Sequence, residues 1–559
     1  MVWTQRYLLL GDGLWISALF AALPIFALLL LLGVMRKPAW KAGIAGLAVT
    51  FLLAILGYHM PAVLAVSAVA NGAAFGLLPI TWIVFWVIVL YRMTVDTGKF
   101  DIIRDSIGRL TTDARLQALL IAFAFGAFLE GAAGFGTPVA IAAAMLTGLG
   151  FSPFRSAALA LLSNTAPGAF GAIGIPVITL AATAGLPLGR LSTLVSRICS
   201  PVSLIIPAYV ILAMGGFQSL SGIWLHVLTA GVLFAAVQVF VSTYLGPQLT
   251  DILSALAAFA GLVLLIRFHR PKQHLAAATF RGNAAQSDRD LTSAECAGAA
   301  AERSEELVPR HTSGTIFYAW LPYVILVACV LLWGLNPVQV VFDRGRILIP
   351  WPYLHNAVQR TPPVIAVAAP YPAIFNLNLI SAAGTACMVA TLLSAGCLKI
   401  APRRLLHLLW SVAHQLMRPT ITIVTVLGIA FLMNYCGATA TLGLTFAATG
   451  KLFPFFSVLL GWLGVFLTGS DTSSNALFGS LQVVTANRLG LDPILMSSAN
   501  AVGGAMGKMI SLQTIAVAAA ATGMSVEDQS RLFRFTLRHS VVLVLIVSAV
   551  VLLLTYLFR

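Results

Sequence analysis

Two stretches decide how this chain folds: Gly126-Ala-Phe-Leu-Glu-Gly-Ala-Ala-Gly-Phe-Gly-Thr-Pro138 and Gly464-Val-Phe-Leu-Thr-Gly-Ser-Asp-Thr-Ser-Ser-Asn475. Each runs as an apolar helix into a knot of glycines or hydroxyls, carries one carboxylate there, and then resumes as a second apolar helix. Pro138 suits a first helical turn, where a missing N–H is no loss. The hydroxyls of 470–475 suit helix caps. Each break therefore reads as a helix N-terminus with free N–H groups and a positive dipole end, a place that attracts a small anion.

The rest of the chain says where these breaks lie. Of 559 residues, 59% are hydrophobic and 9% charged, against about 45–50% and about 25% in soluble domains. A water-facing surface cannot be built from this composition, which excludes a soluble globular protein, a disordered chain and a nucleic-acid binder. The net charge of +15 (33 basic minus 18 acidic residues) fits a bilayer protein with Lys- and Arg-rich cytoplasmic loops. Six cysteines without CxxC spacing and nine scattered histidines give no disulfide, metal or cofactor site. Gly503 to Lys508 departs from a phosphate loop in spacing, and Met509 stands where the magnesium-binding hydroxyl is needed. No enzyme is expected. The apolar run from Leu14 to Val34 lacks a small-residue cleavage pattern and reads as a retained span.

Runs of about 20 apolar residues recur almost to the C-terminus, so the expected fold is all-α and polytopic, with about 12 to 14 transmembrane helices, some broken or re-entrant. Phe268 to Ser313 is polar and of mixed charge and reads as a linker; Asn336 to Pro363 reads as a second one. The two sides of the first linker resemble each other at offsets of 336 to 341 residues. Pro79 matches Pro419, Gly98 matches Gly437, and Gly126 to Gly131 match Gly464 to Gly469. Downstream, Gly150 and Pro153 match Gly490 and Pro493, while Asn164, Gly168 and Gly171 match Asn500, Gly504 and Gly507. The expected layout is a helical hairpin at 1–60, repeat one at 61–215, connecting helices at 216–267, the linker at 268–315, further connecting helices and the second linker at 316–400, and repeat two at 401–559.

Arg36, Lys37 and Lys41 place the first loop in the cytoplasm, so repeat one starts outside near His59, whereas repeat two starts beside cytoplasmic Lys399, Arg403 and Arg404. The repeats are thus expected to be inverted, a pattern that points to a secondary transporter with its site near the midplane.

Among the acids, only Glu130 and Asp471 read as deep in apolar surroundings, where an ionised carboxylate costs about 2.5–3.5 kcal/mol. They are the candidates for proton coupling. Gly131, Gly134, Gly136 and Thr137 at the first break, with Ser470, Thr472, Ser473, Ser474 and Asn475 at the second, are the candidates for holding an anion. Asn164, Thr165 and Asn500 repeat the device further on. Lys508, a lysine with apolar neighbours on both sides, either neutralises the substrate or pairs with Asp471.

These stretches, together with Phe100-Asp-Ile-Ile-Arg104, Asn164-Thr-Ala-Pro167 and Gly507-Lys-Met-Ile-Ser511, resemble the L-lactate permease family of bacterial transporters over nearly the whole chain. The resemblance implies import of L-lactate, and of D-lactate, glycolate and similar 2-hydroxy monocarboxylates, by proton symport across the bacterial inner membrane. Around Pro363 to Leu379 the chain departs from the family by being less polar than expected. Sodium coupling or anion exchange in a similar architecture stays open from the residues alone, as does a gated anion channel.

Overall fold

The computed structural model describes residues 2–9, 13–35, 37–134, 136–269 and 311–557; Arg36 and most of the polar linker, 270–310, lie outside the described residues. Among the described residues, eleven helices are long and apolar enough to cross a membrane, or up to 13 if each of two bent pairs is one span. The bent pairs are Leu14–Ala21 with Leu23–Leu32, at 43°, and Pro153–Ser163 with Gly168–Ala184, at 69°. The helix Ala114–Ala132 is buried along its whole length, as an all-round apolar helix must be. It forms the middle of the bundle and carries Glu130.

Two units repeat in element order. The first opens with Ala62–Phe75 and Trp82–Asp96, which are separated by a kink at Leu78 (φ −130°, ψ 111°). Leu78 is followed in sequence by a proline, and a residue before a proline is disfavoured in the helical region. There follow Lys99–Gly108, a hairpin of Ala114–Ala132 and Thr137–Gly148, a broken helix of Pro153–Ser163 and Gly171–Ala184, and a long closing helix, Leu188–Gly215. The second unit runs Pro402–Cys436, Ala438–Phe446, the hairpin Phe453–Thr468 and Asp471–Leu489, the broken helix Pro493–Lys508 and Leu512–Thr522, and the closing helix Val526–Leu557.

The opening helices of the two units run antiparallel. Gly72 abuts the Leu427 carbonyl, Gly76 abuts Val424, and the Arg404 Nη2 donates to Asp96 O at 2.7 Å, so one sequence number rises as the other falls. Packing between units is reciprocal. Thr137–Gly148 lies on Leu512–Thr522 while Gly171–Ala184 lies on Asp471–Leu489; Leu188–Gly215 lies on Pro493–Lys508 while Val526–Leu557 lies on Pro153–Ser163. Such exchanged pairs are what an inverted duplication produces.

The second expected linker is folded. Asn336–Phe342 is a short helix, Ile347–Pro350 pairs antiparallel with Ile374–Leu377, and Val358–Arg360 lies between Ala369–Tyr371 and the N-terminal strand Trp3–Thr4. Through the N-terminal segment it holds, this sheet caps a helix end. Gln5 Nε2 donates to Asn434 O at 2.9 Å and Tyr435 O at 2.8 Å, carbonyls that Pro402–Cys436 leaves without intrahelical partners. The Tyr371 and Tyr435 rings meet at 4.5 Å between centroids.

Close helix approach rests on missing side chains. Phe453–Thr468 and Pro493–Lys508 meet backbone to backbone, with Gly461 on the Asn500 carbonyl, Gly503 on the Val458 carbonyl and Gly507 on the Trp462 carbonyl. Small residues permit such contact, which replaces the hydrophobic drive that a bilayer removes. A Gly503→Val protein should lose about 1–3 kcal/mol through overpacking, read as earlier thermal unfolding in detergent. Gly396→Val, at a glycine with nothing within 4 Å of an added Cβ, should unfold like the parent.

Candidate functional site

Both breaks are made by backbone that side chains would resist. Gly469, at φ 70°, ends Phe453–Thr468, and Gly136, at φ 78°, precedes the helix starting at Thr137; these left-handed conformations suit glycine. At the first unit's broken helix the chain goes further. Ala172 (φ 49°, ψ 54°), Ile173 (φ 57°, ψ 39°) and Gly174 (φ 73°, ψ 14°) form a left-handed turn, costing roughly 1–2 kcal/mol for each non-glycine residue. Strain of this kind persists where surrounding structure enforces it, and such residues cluster at functional sites.

The breaks surround one cavity of about 360 Å3. Four helices start at its wall: Thr137–Gly148 beside Gly134 and Gly136, Gly171–Ala184 beside Gly168, Asp471–Leu489 with Ser470, and Leu512–Thr522 with Gln513 and Thr514. Ser470 and Ser511 cap two of these starts, accepting from Ser473 N at 3.3 Å and Thr514 N at 3.1 Å. Four positive dipole ends with spare N–H groups make the cavity a site for a small anion.

Charge is concentrated at the same place. Glu130 (1% exposed), Asp471 (4%) and Lys508 (9%) are buried and all reach the cavity wall. The Lys508 ammonium donates to Glu130 Oε1 and stands 3.8 Å from Asp471 Oδ2. Glu130 comes from the first unit, Asp471 and Lys508 from the second, so one ammonium bridges the halves. Glu130 Oε2 and Asp471 Oδ1 have no hydrogen-bond partner. A Cβ at Gly171 would lie 2.5 Å from Glu130 Oε1 and one at Gly504 3.0 Å from Asp471 Oδ1; each acid occupies room a glycine leaves.

Of the residues expected to hold an anion, Gly134, Gly136, Ser470, Thr472, Ser473 and Lys508 line the cavity. Thr137 begins a helix there, but its side chain lies outside the described residues. The others sit behind the wall because protein groups already engage or enclose them. Asn475 Nδ2 donates to Pro176 O at 3.1 Å, Asn500 Nδ2 to Asn475 Oδ1 at 3.0 Å, and Gln482 Nε2 to Asn500 Oδ1 at 3.1 Å. This amide chain ties the second hairpin to the first unit. Ser474 Oγ donates to Gly461 O at 3.3 Å and Thr165 Oγ1 to Leu162 O at 2.6 Å. Gly131 backs onto Asp251, and Asn164 is enclosed with its Oδ1 unpartnered.

Sequence reasoning missed Gly168, Gly171, Gln513, Thr514 and the exposed Arg418, which all border the cavity. It also placed only two acids in the interior, whereas two more are buried: Asp113, paired with Arg115, and Asp251, 1% exposed. Following Gly246-Pro-Gln-Leu-Thr250, Asp251 reads as an acid capping a helix start; in the structure neither of its oxygens accepts any hydrogen bond. Among the described residues, no three His, Cys, Asp or Glu side chains are grouped to hold a metal ion.

A family model described as L-lactate permease matches residues 17–558. The chain is 43% identical to the L-lactate permease of Bacillus subtilis (strain 168) in an alignment of 568 residues covering 98% of each. It is 41% identical to glycolate permease GlcA of Escherichia coli (strain K12), covering 100% of this chain and 99% of that one. Among solved structures, Neisseria gonorrhoeae MtrF, presented as illuminating a class of antimetabolite efflux pumps, has a TM-score of 0.51 at 12% identity and covers 94% of this chain and 97% of its own. That likeness is one of fold alone.

Removing one member of a buried ion cluster strands the others. Lys508→Met should destabilise the protein by about 3–5 kcal/mol, while Glu130→Gln combined with Lys508→Met should recover most of that loss. Thermal unfolding of the single and double variants in detergent measures the coupling; additive effects would mean the two groups do not interact.

Proposed function

Because the chain belongs to the L-lactate permease family, we propose that it imports L-lactate, D-lactate, glycolate and similar 2-hydroxy monocarboxylates by proton symport across a bacterial inner membrane. The observation that carries this reading is the Lys508 ammonium held between Glu130 and Asp471 where four helix N-termini meet. The substrate carboxylate takes the place of a protein carboxylate at Lys508 and the helix ends. The displaced acid, no longer paired, takes up a proton. Ser470, Thr472, Ser473, Gln513 and Thr514 offer hydrogen bonds to the 2-hydroxyl.

Electrostatics favours this coupling. Bringing a monocarboxylate into an inside-negative cell costs about 2.3 kcal/mol per 100 mV; a proton carried with it makes the step electroneutral, and each pH unit then drives uptake by about 1.4 kcal/mol. Sodium coupling is disfavoured at this site by a specific feature: the place between the two acids is already filled by a lysine. A channel would need no acid there.

The cavity wall includes Trp40, at the start of the helix preceded by Lys37, and the exposed Arg418. By the positive-inside bias its open side faces the cytoplasm, which makes this conformation the one that releases substrate.

The test is labelled lactate uptake into proteoliposomes. At zero potential the protein should accumulate lactate about tenfold per pH unit of gradient, with competition by glycolate and no change on adding sodium. Glu130→Gln and Asp471→Asn should each abolish accumulation while keeping lactate exchange at equal pH. Normal accumulation by both variants refutes the assignment of the acids. Accumulation that requires sodium selects the sodium reading, and none under any gradient selects the channel.

A further inference from the structure

Asp251 is used by nothing described so far. It lies outside both repeats, in the first turn of Thr250–Phe268, and does not line the cavity, so substrate does not reach it. Yet it is 1% exposed, and both its oxygens lack any partner. A helix-start acid normally accepts backbone N–H bonds; this one accepts none. Its side chain packs against Gly131, the residue after Glu130, where an added Cβ would lie 2.9 Å from Asp251 Cβ and equally close to the Ile252 backbone nitrogen. Only a glycine lets Ala114–Ala132 approach so closely. The charged groups that act on Asp251 are Glu130 and Lys508, and the buried Cys199 thiol of the closing helix Leu188–Gly215 shares its surroundings with Asp251 and Asp471.

A carboxylate that accepts no hydrogen bond and forms no ion pair in an apolar interior is not sustained as an anion; it holds its proton. Asp251 packs against the residue next to Glu130, whose Oε2 is also unpartnered, so a neutral Asp251 is a proton donor placed close to a proton acceptor and outside the cavity wall. We propose that Asp251 is the proton store of the transport cycle, an inference that rests on the proton-symport reading above. When substrate displaces Glu130 from Lys508, the O–H bond of Asp251 breaks and one forms on the Glu130 carboxylate, directly or through one water. Asp251 is refilled by a proton from water before the next turnover. The acid acts through Glu130 and is a positioning residue for the proton, with no part in holding the substrate.

The experiment compares the parent protein, Asp251→Asn and Asp251→Glu in proteoliposomes. In Asp251→Asn, gradient-driven uptake should fall by about a hundredfold or more, within what a positioned proton-transfer group contributes, and lose its dependence on external pH. Lactate exchange at equal pH should keep its KM, and Asp251→Glu should restore the pH dependence. A packing role would shift the unfolding temperature or the exchange KM instead. An Asp251→Asn protein with the parent pH profile overturns the proposal. A parent protein showing no proton-driven uptake overturns the symport reading itself, so the two failures are distinct. Should Asp251→Asn not fold, infrared spectra of the Asp471→Asn protein carrying 13C-labelled aspartate decide the matter. A protonated aspartate carboxyl band at neutral pH that shifts on adding lactate supports the store, and no such band overturns it.

Discussion

One ammonium group in a water-poor interior governs this structure. Lys508 has Glu130 on one side and Asp471 on the other, and the two acids belong to halves of opposite sense. A buried charge survives only while paired. The relative position of the halves and the pairing of the lysine are therefore one variable. A movement of one half against the other regroups the ions, and an anion that competes for the lysine biases the movement. Coupling of this kind needs a two-state element whose balance the ligand shifts by differential affinity. The cluster is placed to be that element.

Glycine makes the cluster possible. Glu130 lies against Gly171, Asp471 against Gly504 and Asp251 against Gly131. Each of these three acids thus has a missing side chain as its neighbour. That arrangement limits how far water can follow them and keeps their interactions strong. It also explains why helix breaks rather than helix middles carry the site. An unwound segment exposes N–H groups to a ligand, and at membrane depth such backbone is tolerated where it is buried in protein or lines a cavity.

The fold class was legible in the sequence because the bilayer leaves few options, and the inversion was legible because the matching glycines and prolines run in one order. Glu130 and Lys508 stood out because a charge with apolar neighbours has no ordinary explanation, and Asp471 because it sits at a hydroxyl-rich break between two apolar helices. Asn475 and Asn500 misled for a different reason. A buried amide announces that it needs a partner but not which one, and here the partners are each other, Gln482 and the Pro176 carbonyl, contacts spanning 18 to 299 residues. Asp251 stayed hidden because an acid after a Gly-Pro turn already has a local explanation as a cap. The segment after Asn336 read as a linker since its strands are three or four residues long and are held by pairings that no local pattern encodes.

On the symport reading, the count of charges also determines the ratio of proton to substrate. Before substrate binds, the ammonium balances one carboxylate, and any further acid in the apolar surroundings holds its proton. Once the substrate carboxylate occupies the ammonium, one protein carboxylate is left without a counter-charge. A single proton restores the balance. The result does not depend on which acid is displaced, nor on how many acids share the interior, because the substrate brings one negative charge to one positive group. The four helix ends contribute about half a positive charge each, but they are the same before and after binding. They set how tightly the anion is held and leave the ratio at one.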